Sequence, residues 1–291
     1  MLNEYIMNGY DRESQYDRGN AMTFEKYQPA TGLFMAIVKR IIYSLALYTV
    51  GIAAICATPP SLAQEAASQA TQIVERADQI RFPAGGFQVD VTITNSTADG
   101  QTEVHQYQIL SKGQDNSLVI TTAPPAERGH ILLLKGRDLW AYLPGISQPI
   151  RLPLAQRLTG QVANGDMARA NFSGDYNAKL MRNDRILNKS YWVLELTAAD
   201  RGVTYDRVLY WVDQTNNQPY KAEFYTRSNR LMKTCYYKKF INMQGELRPS
   251  QLVMIDNLNQ GNKSTLDYGN MHLRNLPDKV FTKDYLKKLQ F

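Results

Sequence analysis

Apolar residues along this chain change their spacing. Between Gln64 and Ile80 they recur mostly at three- or four-residue intervals (Ala66, Ala70, Ile73, Val74, Ala77, Ile80), which predicts one amphipathic helix. Phe82-Pro83-Ala84-Gly85-Gly86 stops it. From Phe87 the period falls to two, as Phe87, Val89, Val91 and Ile93 alternate with polar neighbours. Further strands are predicted over 104–110, 117–122, 130–135 and 138–143, with a tight hairpin loop at Lys135-Gly136-Arg137-Asp138. Residues 144–180 are Pro- and Gly-rich and poorly periodic, with short helical turns expected at Ala155–Leu158 and Met167–Arg169. So long an irregular stretch marks a functional excursion. Strands resume at 191–197, 205–212, 219–226, 231–240, 247–256 and 261–271. The short Asn-, Ser- and Gly-bearing turns between them imply antiparallel neighbours. Several strands are apolar on both faces, notably 203–212, which predicts a sheet covered on both sides. Residues 64–291 read as one domain.

A different pattern precedes the helix. Lys39-Arg40 leads into an apolar run, Ile41 to Ala57, then Thr58-Pro59-Pro60-Ser61-Leu62-Ala63 and the polar Gln64-Glu65. A basic start, an apolar middle and small residues before the break make a secretory signal peptide over 35–63, with cleavage expected after Ala63. The alternative is a retained membrane anchor, since 17 residues sit at the short edge of the roughly 17–25 needed to span. A lipid-modified Cys56 is disfavoured by the bulky Ile55 before it. Residues 1–34 are polar and rich in Tyr and charge, and read as an N-terminal extension upstream of a true start at Met35.

Composition then narrows the function classes. The chain has 291 residues, 44% of them hydrophobic, and a formal net charge of +6. Mean hydropathy is −0.40. A polytopic membrane protein and a mostly disordered chain are both excluded. Residues 1–63 carry equal numbers of acids and bases, so the whole positive balance belongs to residues 64–291. No run of five or more basic residues occurs, and an exported protein is a poor nucleic-acid binder. The charge points instead to anionic headgroups or an acidic partner, or to a dispersed solvated surface. Cys235 alone remains after cleavage and reads as a buried thiol. His105, His130 and His272 share no ligand spacing, and no phosphate loop or Gly-x-Ser-x-Gly elbow is present. No metal, cofactor or catalytic residue is therefore assigned.

Several segments in fixed order carry a resemblance. They are Ala77-Asp78-Gln79-Ile80-Arg81-Phe82-Pro83, Leu139-Trp140-Ala141-Tyr142-Leu143-Pro144 with Arg151 and Gln156-Arg157, Asn171 to Tyr176, Tyr210 to Asp213, Pro219 to Tyr225, Leu247 to Ser250 and Phe281 to Leu286. Together they resemble the LolA-like outer-membrane lipoprotein-sorting proteins. The resemblance implies a mainly β, α+β fold: a curved antiparallel sheet forming an unclosed half-barrel, its concave face covered by helices. It also implies a non-enzymatic periplasmic carrier of lipid or lipoprotein acyl chains. An inner-membrane exporter, an outer-membrane acceptor and transient membrane-surface contact are the expected partners, and a monomer the expected state. Relatives that sense lipid and bind an anti-sigma factor make a sensor or interaction module the alternative, and a hydrolase on the same sheet a third reading.

An acyl chain in water costs about 0.8 kcal/mol per CH₂, so a carrier must supply an apolar shelter. Tyr107, Ile109, Leu132, Leu134, Trp140, Tyr142, Leu209 and Trp211 are the candidate cavity-lining residues, with plain core filling as the other reading. Arg151 and Arg157 are candidates for the cavity mouth, facing a headgroup or partner, or for ordinary surface positions.

Overall fold

Strict alternation from Phe87 produces strand β1 (Gly86–Ser96), in which Val89, Val91 and Ile93 are buried while the residues between them are half-exposed. The computed structural model describes residues 62–169 and 171–286, all within one compact unit. The expected extension 1–34 and the signal segment up to Ser61 lie outside the described residues, and the expected cleavage point after Ala63 falls at the start of helix α1 (Leu62–Arg81).

After β1 come β2 (Thr102–Lys112), β3 (Asn116–Ala123), β4 (Ile131–Lys135), β5 (Asp138–Tyr142) and the short β6 (Ile150–Leu152). The irregular stretch then supplies β7 (Arg157–Thr159), β8 (Val162–Ala163), α2 (Asn164–Ala168) and α3 (Phe172–Asp175). The second half contains β9 (Tyr176–Ile186), β10 (Lys189–Ala198), β11 (Arg207–Asp213), β12 (Pro219–Tyr225), β13 (Leu231–Met243), β14 (Glu246–Asp256) and β15 (Lys263–Leu273). A last short helix, α4 (Lys283–Leu286), follows a 3₁₀ turn at Asp278–Phe281. Thirteen strands form one antiparallel sheet in the order β6-β5-β4-β3-β2-β1-β15-β14-β13-β12-β11-β10-β9. The sheet is curved and does not close, since β6 and β9 remain separate edges, as expected for the half-barrel.

Two sequence readings need correction. The eleven-residue β9 occupies the end of the stretch read as irregular to Leu180. It is an edge strand with Asn177, Lys179, Arg182 and Arg185 exposed, so half of its pattern is solvated and its period is masked. Ala155–Leu158 is a turn running into β7, whereas Met167 and Ala168 do belong to a helical turn, α2.

Inward positions of the strands form one large cluster with Ala70, Ile73, Val74 and Ala77 of α1. The outer face is covered twice. Under the C-terminal segment, Leu118, Ile120, Ile131 and Leu133 pack with Leu276, Val280, Phe281 and Leu286. Across β10 and β11, Tyr191, Val193 and Trp211 form a third cluster. These two patches account for the strands that read as apolar on both sides.

The hairpin β7–β8 is pinned onto the sheet by polar contacts. Asn95 donates to Thr159 Oγ1 at 2.7 Å and accepts from Ser264 Oγ at 2.6 Å, and Ser264 Oγ accepts from the backbone of Gln161 at 2.8 Å. Gly160, at the hairpin's tip with φ 47°, leaves only 2.0 Å between an added Cβ and Asn95 Oδ1. Gly160→Ala therefore combines left-handed backbone strain with a clash, and urea denaturation is expected to show a loss of about 1–3 kcal/mol.

Candidate functional site

The concave face of the sheet is the region that the chain works hardest to cover. Its floor includes Tyr107 and Ile109 on β2, Leu132 and Leu134 on β4, Tyr210 on β11 and Phe224 on β12, all buried. Its roof is α1 together with the strap from β7 to α3.

Strand parity divides the eight candidate lining residues. Tyr107, Ile109, Leu132 and Leu134 share the concave cluster with α1. Trp140 and Tyr142 point to the other face, where Lys283 Nζ stands 3.4 Å from the Trp140 ring centroid. Leu209 and Trp211 also face outward, and the Trp211 indole donates to Asp184 Oδ2 at 2.8 Å. On β5 and β11 the concave face instead receives Leu139, Ala141, Val208, Tyr210 and Val212. Arg151 lies exposed on edge strand β6, paired with Asp138. Arg157 is exposed too, but borders a cleft of about 190 Å³ that also touches Lys233 and Asp256.

Polar groups that the hydrophobic pattern hides hold the roof down. Asp78 and Arg81 sit on the buried stripe of α1, 3.4 Å apart. Asp78 Oδ2 accepts from the backbone N–H of Ser173 at 2.8 Å, tying α1 to α3. The Arg81 guanidinium lies 4.7 Å from the Phe172 ring centroid and 5.5 Å from that of Tyr237. Arg248 of β14 donates to the carbonyls of Gln79 at 2.6 Å and Ile80 at 3.0 Å. Those carbonyls lie in the last turn of α1, so a cation there satisfies orphan acceptors and meets the negative end of the helix dipole.

The strap carries its own buried ion networks. Arg169 donates to Asp175 at 2.6 Å, to Asp115 at 2.8 Å and to the Gly136 carbonyl at 2.8 Å. Burial opposes its charge, but the two carboxylates outweigh that and raise its pKa. Asp166 accepts from Lys233 at 3.1 Å, from Tyr205 at 2.6 and 2.7 Å, and from the Ala163 N–H at 2.8 Å. Burial first, then Asp166, pushes the Tyr205 phenol well above its ordinary range. Burial likewise pushes the Cys235 thiol up to about 12, so it stays protonated and unreactive at neutral pH. Among the described residues no group of three or more His, Cys, Asp or Glu side chains could hold a metal ion.

Roof and floor are in contact almost throughout. One cleft of about 90 Å³ opens between the end of α1, the start of β1, the β2–β3 turn and α2, bordered by Asp78, Phe82, Phe87, Ile109, Gln114 and Met167. That is well below the roughly 300–1,000 Å³ of a typical ligand site. The arrangement is an apolar shelf under a cover fastened by polar links.

A LolA superfamily protein from Nitrosomonas europaea is 57% identical, with a TM-score of 0.72 over 74% of this chain and 98% of that one. The chain belongs to the LolA superfamily. A family model described only as an uncharacterized protein matches residues 113–288. Two more distant solved structures share the fold. A DUF1329 family protein from Desulfovibrio piger, 19% identical, has a TM-score of 0.66 over 76% of this chain and 99% of that one. An outer membrane lipoprotein-sorting protein domain from Vibrio parahaemolyticus, also 19% identical, has a TM-score of 0.64 with the same coverage. No curated protein matches the chain. Its LolA-like fold is therefore established, and among the described residues no helix is long and apolar enough to cross a membrane.

Asp78 and Arg81 appear in the LolA-like segment Ala77–Pro83, yet residue type alone places both on a solvated face of α1. Their spacing of three, on the same turn as Ala77, was the available signal. Burial raises the Asp78 carboxyl to about 6, against the opposing pull of Arg81 and the Ser173 N–H. Its folded pKa exceeds its unfolded value of about 4, so its contribution to stability is full below about pH 4. That contribution is lost as pH rises through about 6. The loss should amount to about 2–3 kcal/mol. Unfolding titrations from pH 4 to 7 are expected to show this fall in the wild type and a flatter profile in Asp78→Asn. Arg248→Met leaves the Gln79 and Ile80 carbonyls without their donor, and amide hydrogen exchange is expected to quicken in the last two turns of α1 before the sheet responds.

Proposed function

We propose that this protein is a non-enzymatic periplasmic carrier that shelters acyl chains of lipid or lipoprotein against its concave face and helps sort them toward the outer membrane. The observation that carries the reading is the construction of the roof. The shelf beneath is apolar from β4 across to β12, while the cover is a separate helix and strap fastened by Asp78, Arg248, Arg169 and Asp166. An acyl chain replaces the apolar contacts that α1 gives up when it moves, so exchange of cover for cargo conserves most of the buried apolar area. A donor membrane exporter and an outer-membrane acceptor are the partners this role requires. Tyr107, Ile109, Leu132 and Leu134 are the shelf residues proposed to contact cargo, joined by Leu139 and Tyr210.

Native mass spectrometry of protein isolated from the periplasm is expected to show co-bound lipid. A fluorescent acylated peptide is expected to bind, and Leu134→Asp to weaken that binding at least tenfold. Leu134→Met, which keeps the shelf apolar, should retain it. Absence of lipid together with no acyl-peptide binding removes the carrier reading; a stable protein partner in its place supports the sensor alternative.

A further inference from the structure

Hairpin tips in an antiparallel sheet alternate between its two ends. The β9–β10, β11–β12, β13–β14 and β2–β3 turns all lie at the end where α1 finishes and the 90 Å³ cleft opens beside Pro83, Ala84, Gly113 and Gln114. At the tip of β9–β10 stands Leu187, 90% exposed and at φ 47°. Both features are unfavourable. A branched residue in the left-handed region is strained where Asn or Gly rests easily, and nothing packs on it in return.

The surroundings of the tip follow the pattern of an interfacial anchor. Arg185 is exposed and forms no ion pair among the described residues, and Lys189, on the other arm, is mostly exposed with its Nζ 3.7 Å from Asp213 Oδ2. Below them on the outer face, the buried Tyr191 packs against Tyr220 with tilted rings, centroids 4.9 Å apart, and Tyr236 follows 6.1 Å from Tyr220. Trp211 lies in the same patch with Lys221 Nζ 3.9 Å above its ring. An apolar point flanked by a pair of cations is what a headgroup layer accepts: the point enters the acyl boundary and the cations meet anionic phosphates, while the packed rings beneath, Tyr191 and Trp211 among them, are buried and support the tip.

We propose that the β9–β10 tip, with Leu187 as the inserted residue and Arg185 and Lys189 as headgroup contacts, docks this protein on an anionic membrane surface and turns the cleft end of the sheet toward the bilayer. Docking of this kind explains an exposed strained leucine that neither the core nor the roof uses. It also assigns Leu209 and Trp211, which lie off the concave face, to the packed cluster that supports the tip. The proposal concerns a surface separate from the cargo shelf, and its success or failure is read independently of cargo binding.

The test is co-flotation with phosphatidylcholine vesicles, with and without phosphatidylglycerol, for the wild type, Leu187→Asn and the double variant Arg185→Glu/Lys189→Glu. All three chains share the same N-terminus, so any contribution of the apolar run at 41–57 is common to them. Asn suits φ 47°, so Leu187→Asn should melt no lower than the wild type. Its partition onto anionic vesicles is expected to fall about fivefold and that of the double variant by tenfold or more, with wild-type binding weakened by salt. Acylated-peptide binding should be unchanged in both. Equal vesicle binding by Leu187→Asn and wild type overturns the proposal. So does a binding preference for polyglutamate that ignores Leu187, which would assign the cations to an acidic polypeptide partner.

Discussion

An open sheet cannot cover its own concave face. Thirteen antiparallel strands that curve without closing leave an apolar trough, and water must be kept from it by chain that is not part of the sheet. Most other features answer that constraint. The apolar stripe of α1 fills the trough, and the strap β7–β8–α2–α3 crosses it. The β9 edge, flanked by α1, is left charged on its solvent side, which discourages further strand pairing.

What fastens the cover differs in kind from what the cover hides. Apolar contact between α1 and the floor is non-directional and would tolerate sliding. Asp78, Arg248, Arg169 and Asp166 instead meet specific partners at hydrogen-bond distance, and so set where the roof sits. Buried ion pairs contribute little net stability, because desolvation offsets much of their attraction. A roof positioned by such links and held by exchangeable apolar contact is suited to a protein that must hide a hydrophobic surface and later offer it. The same reasoning separates the two ends of the half-barrel. The end with the cleft also carries the bare Leu187 tip, whereas Asn95, Thr159 and Ser264 pin the strap to β1 and β15 away from it.

Much of this was readable residue by residue. The helix from Gln64 to Ile80 and eleven of the sheet's strands follow from period and turn chemistry, because each faces a core on at least one side. β9 was not readable, since its outward positions are charged and its inward ones few. Of the candidate lining residues, Tyr107, Ile109, Leu132 and Leu134 lie on the concave face. Trp140, Tyr142, Leu209 and Trp211 lie on the opposite face, and a strand apolar on both sides gives no clue to which parity looks inward. Asp78 and Arg81 look solvated until the strap and β13 close around them.

Local sequence, then, determined which segments are helix and strand, and the order of LolA-like segments marked the family. Those properties depend on contacts a few residues apart or on short motifs. Tertiary structure alone decided which face of each strand is concave, which charges are buried, and that the trough is covered in this state. Those depend largely on groups far apart in the chain, from Arg169 with Asp115 to Arg248 with Gln79 or Asn95 with Ser264. No local period encodes such pairs, because they exist only once the sheet has curved and the cover has landed on it.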